Sequence, residues 1–139
     1  MTSTSRTPLQ IMELLSATWF PDAMGDPATA LRWEELFDED IVLIEPDSLP
    51  HGGRRHGLDG FRAAQAGMRE LWEQRIEAAD YWQCAPDRAV LRIVIRWTAR
   101  ATGRSVLLPM IDLIRVRDGR IVEVEAFVHD TAALLATLR

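Results

Sequence analysis

The sequence is poor in the residues that stabilise secreted or metal-binding folds. It has one cysteine, Cys84, so no disulfide bond can form within the chain, and this usage fits a reducing compartment. It has no Cys/His spacing typical of a metal site, no P-loop and no GxGxxG motif. We therefore expect a cytoplasmic protein that needs no metal and no cofactor.

Long apolar runs and basic clusters are also absent. No run approaches the roughly 20 residues of a transmembrane helix, and the segment MTSTSRTPLQ lacks the basic start and apolar block of a secretory signal. The net charge is −5, and the basic residues, all of them arginine, do not cluster along one predicted helix. Binding to membranes or nucleic acids is therefore not expected.

The sequence does contain enough apolar material for one core. Hydrophobic residues make up 47% of the chain and charged residues 27%, which is typical of a folded globular domain. A length of 139 residues predicts a single domain over 1–139. Residues 1–7 are predicted to be a disordered tail.

Helical signals dominate the first half. Thr7 caps a predicted first helix that begins at Pro8, and Asp26-Pro27 repeats this signal for a second helix. A third helix is predicted over residues 57–75. Apolar residues recur at helical spacing in all three: Ile11, Met12, Leu15, Trp19 and Phe20, then Ala30, Trp33, Leu36 and Phe37, then Phe61, Ala64, Met68 and Leu71.

Strand signals dominate the second half. A first strand is predicted over residues 40–46, followed by a Pro- and Gly-rich turn or short hairpin. From residue 76 onward the period changes from 3.6 to 2, and residues 89–99, 106–117 and 121–128 predict strands. Asp118-Gly119 predicts a hairpin turn, and Asp130 caps a last helix over residues 131–138.

Charged residues indicate which face of these strands is buried. Within each strand the charged residues stand at alternate positions and so lie on the same face: Arg92 and Arg96, Arg115 and Arg117, and Glu123 and Glu125. Opposite charges on neighbouring strands would share the outer face of an antiparallel sheet, whereas the other face is apolar and must be covered. The predicted fold is α+β, with the N-terminal helices covering one face of a curved antiparallel sheet.

One carboxylate lies on the predicted inner face. In SVLLPMIDLIRV, residues 105–116, Asp112 has the parity opposite to that of Arg115. An unpaired buried carboxylate is costly, and burial raises its pKa. Asp112 is thus either structural, capping backbone or pairing with a buried arginine, or an acid–base group in a pocket. We expect it to be protonated at neutral pH.

Glu45 and His51 are the other candidates for a functional site. Glu45 ends the first predicted strand, directly before Pro46, and His51 follows in SLPHGG. Both also fit ordinary surface positions, which are usual for glutamate and for loop histidines. His56 and His129 are weaker candidates. Asp80 has no clear orientation, because IEAADYWQC alternates poorly.

The order of elements, with PDSLPHGGRRHGLDGFR and VRDGRIVEVEAFVHDTAAL, resembles the SnoaL-like polyketide cyclases of the nuclear-transport-factor-2-like superfamily. The resemblance covers residues 8–138. It implies a cone-shaped sheet around a cavity for a hydrophobic small molecule, and a homodimer through the outer sheet face. It does not by itself imply one reaction, because this fold hosts many functions.

Ketosteroid isomerase, from the same superfamily, resembles the chain at the site. MIDLIRV is similar to its strand with a protonated aspartic acid that donates to an oxyanion. Glu45-Pro46 is similar to the Asp-Pro pair that supplies its base. The resemblance implies Glu45 as base, directly or through His51, and Asp112 as acid or oxyanion donor.

Bulky residues are expected to form the pocket walls: Trp19, Trp33, Trp97, Met110, Val124 and Met12. Trp19 stands near the position of a catalytic tyrosine in ketosteroid isomerase, whereas the only tyrosine here is Tyr81. Ile93 and Ile95 stand where limonene-type epoxide hydrolases carry an Arg-Asp arrangement.

Three functions fit these features. The first is a cofactor-independent cyclase or isomerase that uses acid–base catalysis on a polyketide- or terpenoid-like molecule. The second is an epoxide hydrolase or an epoxide-opening cyclase, with the same acid pair. The third is a non-catalytic, dimeric module that binds small ligands.

Overall fold

The computed structural model describes residues 6–19 and 32–139, apart from the side chains of residues 18 and 19. Its elements in chain order are α1 (Pro8–Trp19), α2 (Trp33–Leu36), β1 (Phe37–Glu45), β2 (Gly53–His56), α3 (Gly57–Leu71), β3 (Trp72–Ala85), β4 (Arg88–Ala99), β5 (Ser105–Arg117), β6 (Arg120–Val128) and α4 (Thr131–Ala136). This confirms the predicted α+β class.

The described strands form one six-stranded sheet in the order β2-β1-β6-β5-β4-β3. Strands β3 to β6 are joined by short turns and pair antiparallel. Strand β1 pairs antiparallel with β2 but parallel with β6. A parallel pair needs a long connection, and here it contains β2, α3 and β3 to β5. The sheet is therefore mixed, which corrects the prediction of a wholly antiparallel sheet.

The predicted division of the sheet into two faces is confirmed. Along β4, residues alternate between buried and accessible positions over the whole strand. On the outer face, Arg115 Nε lies 3.6 Å from Glu123 Oε2 across β5 and β6, and Arg96 Nε lies 3.5 Å from Glu77 Oε1. The inner face carries the apolar residues, which pack against the helices.

Helix α1 begins at Pro8, as predicted. The Thr7 hydroxyl accepts a hydrogen bond from the Gln10 amide at 3.2 Å, and the Gln10 side chain accepts one from the Thr7 amide at 2.9 Å. This reciprocal pair is a capping box. Residues 1–5 of the predicted tail lie outside the described residues, whereas Arg6 donates to the carbonyl of Glu35 at 3.2 Å.

Two helix boundaries differ from the prediction. Helix α3 ends at Leu71 instead of residue 75, because Trp72 already pairs with Ala99 on β4. Helix α2 ends at Leu36, because Phe37 begins β1. In both cases sheet pairing overrides the local helical pattern. The start of the predicted second helix lies outside the described residues.

The hairpin turn and the start of the last helix follow the prediction, whereas α4 ends at Ala136 instead of residue 138. The 118–119 turn has positive φ at both residues, 52° and 76°, as a two-residue hairpin turn requires. The Asp130 side chain accepts from the Ala133 amide at 3.0 Å and caps α4. Within residues 6–19 and 32–139, no helix is long and apolar enough to cross a membrane.

The loop between β1 and β2 is a tight turn that requires glycine. The Leu49 amide donates to the Pro46 carbonyl at 3.1 Å, and the Gly52 amide donates to the Leu49 carbonyl at 2.9 Å. A Cβ atom at Gly52 would lie 2.0 Å from the Pro46 carbonyl oxygen. This close approach fixes the path of residues 46–52, which include His51.

We predict that Gly52→Ala lowers the free energy of unfolding by about 1–3 kcal/mol, the usual range for overpacking. The reason is the backbone clash, which no rotamer change can relieve. Gly67→Ala is the matched control, because a Cβ there meets nothing within 4 Å in the middle of α3. It should stabilise the protein by about 0.5–1 kcal/mol. Equal urea midpoints for the two variants would contradict this account.

Candidate active site

A cavity of about 310 Å³ lies between α3 and the inner face of the sheet. Its volume is near the lower end of the ~300–1,000 Å³ typical of ligand pockets. The apolar part of its wall consists of Leu43, Phe61, Met68, Trp72, Ile76, Ile93, Ile95, Met110 and Val124. The polar part consists of Glu45, Gln65, Arg69, Glu73, Gln74, Arg100 and Asp112.

The strand register brings the two predicted carboxylates to the same region of the wall. Asp112 on β5 pairs with Ala126 on β6. Ile44 on β1 pairs with Glu125, so the next residue, Glu45, is level with Ala126. Both acids therefore flank Ala126 on the inner face, with backbones two strand spacings, roughly 10 Å, apart. Their side chains can reach one small ligand group from two sides.

Asp112 is buried and lacks an internal partner. Its side chain is only 5% exposed, and its Oδ1 atom has no hydrogen-bond partner among the described residues. Burial raises the pKa of Asp112 to about 7. Among the described residues, Asp112 neither caps a backbone group nor pairs with an arginine. A purely structural role for Asp112 therefore receives no support.

Glu45 is the second buried acid of the cavity, with 7% of its surface exposed. Burial is the main cause that raises its pKa to about 8, and the charge of Asp112 raises it further. The nearby Arg55 opposes this shift. Two carboxyl groups that share one poorly solvated site do not ionise together easily, so the pair holds at least one proton at neutral pH.

His51 lies behind Glu45 rather than on the cavity wall. Its Nε2 atom is 3.9 Å from Glu45 Oε2, too long for a direct hydrogen bond. Its Nδ1 atom is buried and has no partner among the residues described. Burial, together with the charge of Arg55, lowers the pKa of His51 to about 4. The imidazole is therefore neutral at pH 7.

Trp72 connects His51 to the C-terminal helix α4. Its ring packs edge-on against His51 at 5.9 Å and against Trp97 at 5.7 Å between centroids. Its Nε1–H donates to Thr137 Oγ1 at 2.9 Å, and the Thr137 hydroxyl donates to the Leu134 carbonyl at 2.6 Å. The end of the chain thus holds one wall of the cavity in place.

Of the predicted wall residues, Met110 and Val124 line the cavity. Trp33, Trp97 and Met12 do not. Met12 and Trp97 are packed in the core, and Trp33 packs on the rings of Phe37 and Phe61. The side chain of Trp19 lies outside the described residues. Inner-face parity alone does not separate cavity wall from core, because the cavity occupies only part of that face.

The weaker candidates lie away from the cavity. His56 and Asp40 approach to 3.9 Å at the surface, with both side chains 70% exposed. His129 and Asp80 are exposed. Asp80 on β3 is opposite Arg92 on β4 in the strand register. No group of three His, Cys, Asp or Glu within the described ranges is arranged to hold a metal ion.

Several wall residues were not predicted from the sequence. Gln65 and Arg69 are on the face of α3 that also carries Phe61 and Met68, and their helical spacing was a usable signal. The helical pattern of residues 57–75 includes Trp72, which in the structure begins β3. Arg100 follows β4 in a turn, where no local pattern reveals that it approaches the cavity.

Solved structures place this fold in a known class. An NTF2-like protein of unknown function from Burkholderia pseudomallei is 28% identical, covers 73% of this chain and 79% of its own, and has a TM-score of 0.66. An NTF2-like protein from Burkholderia xenovorans is 18% identical over 98% and 100% of the two chains, with a TM-score of 0.76. The fold is therefore NTF2-like, as the sequence indicated.

The family follows from the sequence itself. A family model for the SnoaL-like domain matches residues 20–124, and the chain belongs to this family. A candidate polyketide cyclase from Pseudomonas putida shares the fold, with 16% identity over 97% of this chain and 100% of its own and a TM-score of 0.71. No protein with curated annotation matches the sequence significantly.

We predict that the two buried acids make the fold less stable as pH rises. Their folded-state pKa values, about 7 and 8, lie above the ordinary values of 3.8 and 4.5, so the folded protein binds more protons than the unfolded chain in this range. Their stabilising contribution is full below about pH 4 and is lost as pH rises through 8.

The test is urea unfolding of Asp112→Asn at several pH values. Between pH 5 and pH 9 the free energy of unfolding should fall less for the variant than for the parent protein. At pH 9 the variant should be more stable than the parent protein by on the order of 1 kcal/mol or more. Asp80→Asn, an exposed acid, serves as control and should leave the pH profile unchanged. Parallel profiles for Asp112→Asn and the parent protein would show that Asp112 titrates normally.

Proposed function

We propose that this protein is a cofactor-independent isomerase or cyclase that moves a proton on an enolisable carbonyl compound. The observation that carries the proposal is the pair of buried carboxyl groups, Glu45 and Asp112, facing a cavity whose other buried wall residues are apolar. Such a site can hold one acid protonated beside one base at neutral pH. The membership in a family with candidate polyketide cyclases among its structural relatives supports a polyketide-like substrate.

The first step is proton transfer from carbon to oxygen. One ionised carboxylate removes the proton next to the carbonyl group, while the other carboxylic acid gives its proton to the carbonyl oxygen. The product is a neutral enol, and the carboxyl pair has exchanged its protonation states. General acid and base catalysis of this kind contributes typically ~10²–10⁴-fold.

The second step decides between two outcomes. Return of the proton to a different carbon gives an isomer. Alternatively, the enol carbon attacks a second carbonyl carbon of the same molecule, forming a carbon–carbon bond. The new alkoxide oxygen then takes the proton held by the first carboxyl group, and the enol proton returns to the second. Both outcomes restore the original protonation states without a cofactor.

The pKa values of both acids are raised by burial, to about 7 for Asp112 and about 8 for Glu45. Because the charge of Asp112 acts on Glu45, the two groups titrate as a pair rather than independently. Either carboxyl group can therefore serve as base while the other serves as acid. His51, neutral and with its Nε2 atom 3.9 Å from Glu45 Oε2, would orient the Glu45 carboxyl group.

Epoxide opening remains the alternative that uses the same acid pair. Ile93 and Ile95 line the cavity as apolar wall, so the strand offers no Arg-Asp pair there. The alternative therefore depends on Glu45 and Asp112 alone. Incorporation of oxygen-18 from labelled water into a diol product would identify hydrolysis.

The direct test of the proposal is hydrogen–deuterium exchange of 2-tetralone, a small bicyclic ketone with an acidic methylene group. In deuterated buffer at pH 7.5, the protein should accelerate exchange above the buffer rate, as followed by proton NMR. Asp112→Asn and Glu45→Gln should each lower the accelerated rate by about 100-fold or more, since each removes one partner of proton transfer.

Glu125→Gln is the matched control for that test. Glu125 lies one residue before Ala126 on β6, and its side chain is on the outer face of the sheet. Its substitution should therefore leave the exchange rate unchanged. If both cavity variants retain the parental rate, the acid–base proposal is wrong. Full loss in all three variants would indicate a general effect on folding instead.

A homodimer through the outer sheet face is proposed as the assembly. The large apolar side chains that this face exposes include Leu107, Ile111 and Phe127, at 40–51% of their surface. Ile111 and Phe127 are directly opposite on β5 and β6. Around them lie outward-facing arginine and glutamate residues of both signs, so a second copy can match this surface with complementary charges.

Phe127→Arg should convert the dimer to a monomer, because it places a charge in the centre of the apolar patch. Size-exclusion chromatography with light scattering gives the mass directly. Leu9→Arg is the control, since Leu9 is similarly exposed, at 42%, but lies on α1. A monomeric parent protein, or a dimer that survives Phe127→Arg, would exclude this interface.

A further inference from the structure

Five polar residues of the cavity wall take no part in the proposed proton transfer. They are Gln65 and Arg69 on α3, Glu73 and Gln74 at the start of β3, and Arg100 after β4, and we call them the rim. The two arginines and Glu73 are exposed, and the two glutamines are half-buried. The rim is thus the solvent-facing side of the cavity and is rich in hydrogen-bond donors.

Arg100 is held at the rim by the protein backbone. Its amide donates to the Leu71 carbonyl at 2.9 Å, and its Nε–H donates to the Arg69 carbonyl at 2.7 Å. These bonds tie the guanidinium group to the end of α3. Its terminal nitrogens, Nη1 and Nη2, make no hydrogen bond within the described part of the chain and remain available to a ligand.

Neither rim arginine has an acidic partner. Within residues 6–19 and 32–139, no carboxylate lies within 4 Å of the side-chain nitrogens of Arg69 or Arg100, whereas Arg96 and Arg115 on the outer face have such partners. The rim therefore has two unneutralised guanidinium groups against one carboxylate, that of Glu73. The rim thus carries a net positive charge, which favours a negative ligand group at this side of the cavity.

We propose that Arg69 and Arg100 bind a carboxylate of the substrate at the rim, while its enolisable carbonyl lies against Glu45 and Asp112. Guanidinium groups match a planar carboxylate with paired donors, and the amides of Gln65 and Gln74 can add further donors. The substrate class is then an apolar keto acid whose carboxylate is separated from the reacting carbonyl. This inference rests on the proposed function for the position of the carbonyl, but the anion site can be measured without any turnover.

The test compares two ligands of nearly the same shape, 2-naphthoate and 2-naphthamide, by isothermal titration at pH 7. The parent protein should bind 2-naphthoate about two- to fivefold more tightly than 2-naphthamide, as expected for an exposed charge pair. The preference should shrink in 1 M NaCl, because salt screens exposed charges. The double variant Arg69→Gln/Arg100→Gln should bind both ligands equally, with 2-naphthamide affinity unchanged.

Arg92→Gln is the control, since it removes an exposed arginine from the outer sheet face and should keep the preference. The proposal is overturned if the parent protein does not bind 2-naphthoate or does not prefer it. It is also overturned if the double variant keeps the preference or loses both ligands alike. Glu45→Gln separates the two proposals, because it should abolish 2-tetralone exchange while the carboxylate preference remains.

Discussion

The removal of two carboxyl groups from water is the constraint on which the site depends. Asp112 and Glu45 lie on the apolar face of the sheet, where an ionised acid is poorly solvated, and among the described residues no arginine nitrogen lies within 4 Å of either carboxyl group. The physical response is a raised pKa for both groups. A pair that would be two charges at the surface becomes a single shared charge in the cavity, and that state can both accept and donate a proton near neutral pH.

The rest of the structure maintains this arrangement. The parallel pairing of β1 with β6 places Glu45 level with Asp112 across one intervening strand. The glycine-dependent turn after β1 holds His51 behind Glu45. Trp72 closes the cavity wall beside them and is fixed through Thr137. Each support comes from a different part of the chain, so the site is a property of the whole domain rather than of a local motif.

Parts of this outcome could be predicted from the sequence because they follow from local physics. Alternation of apolar and charged residues in β4 to β6 predicts their faces, and hence the burial of Asp112. The helix start at Pro8 and the cap at Asp130 follow from side-chain hydrogen bonds within a few residues. The pocket roles predicted for Trp33 and Trp97 were not found at the cavity wall, because parity distinguishes inside from outside but not cavity from core.

The sequence by itself determined the secondary structure of most elements, the inner face of the sheet and the candidate acid on it, because these depend on neighbours within about one turn or one strand. Only the tertiary structure decided which strand lies beside β6, where α3 gives way to β3, and which side chains share a cavity. Those features depend on contacts between distant segments, where sheet pairing outweighs the local helical preference around Trp72. The presence of Glu45, Asp112 and the rim arginines in one cavity is likewise decided only by the tertiary structure.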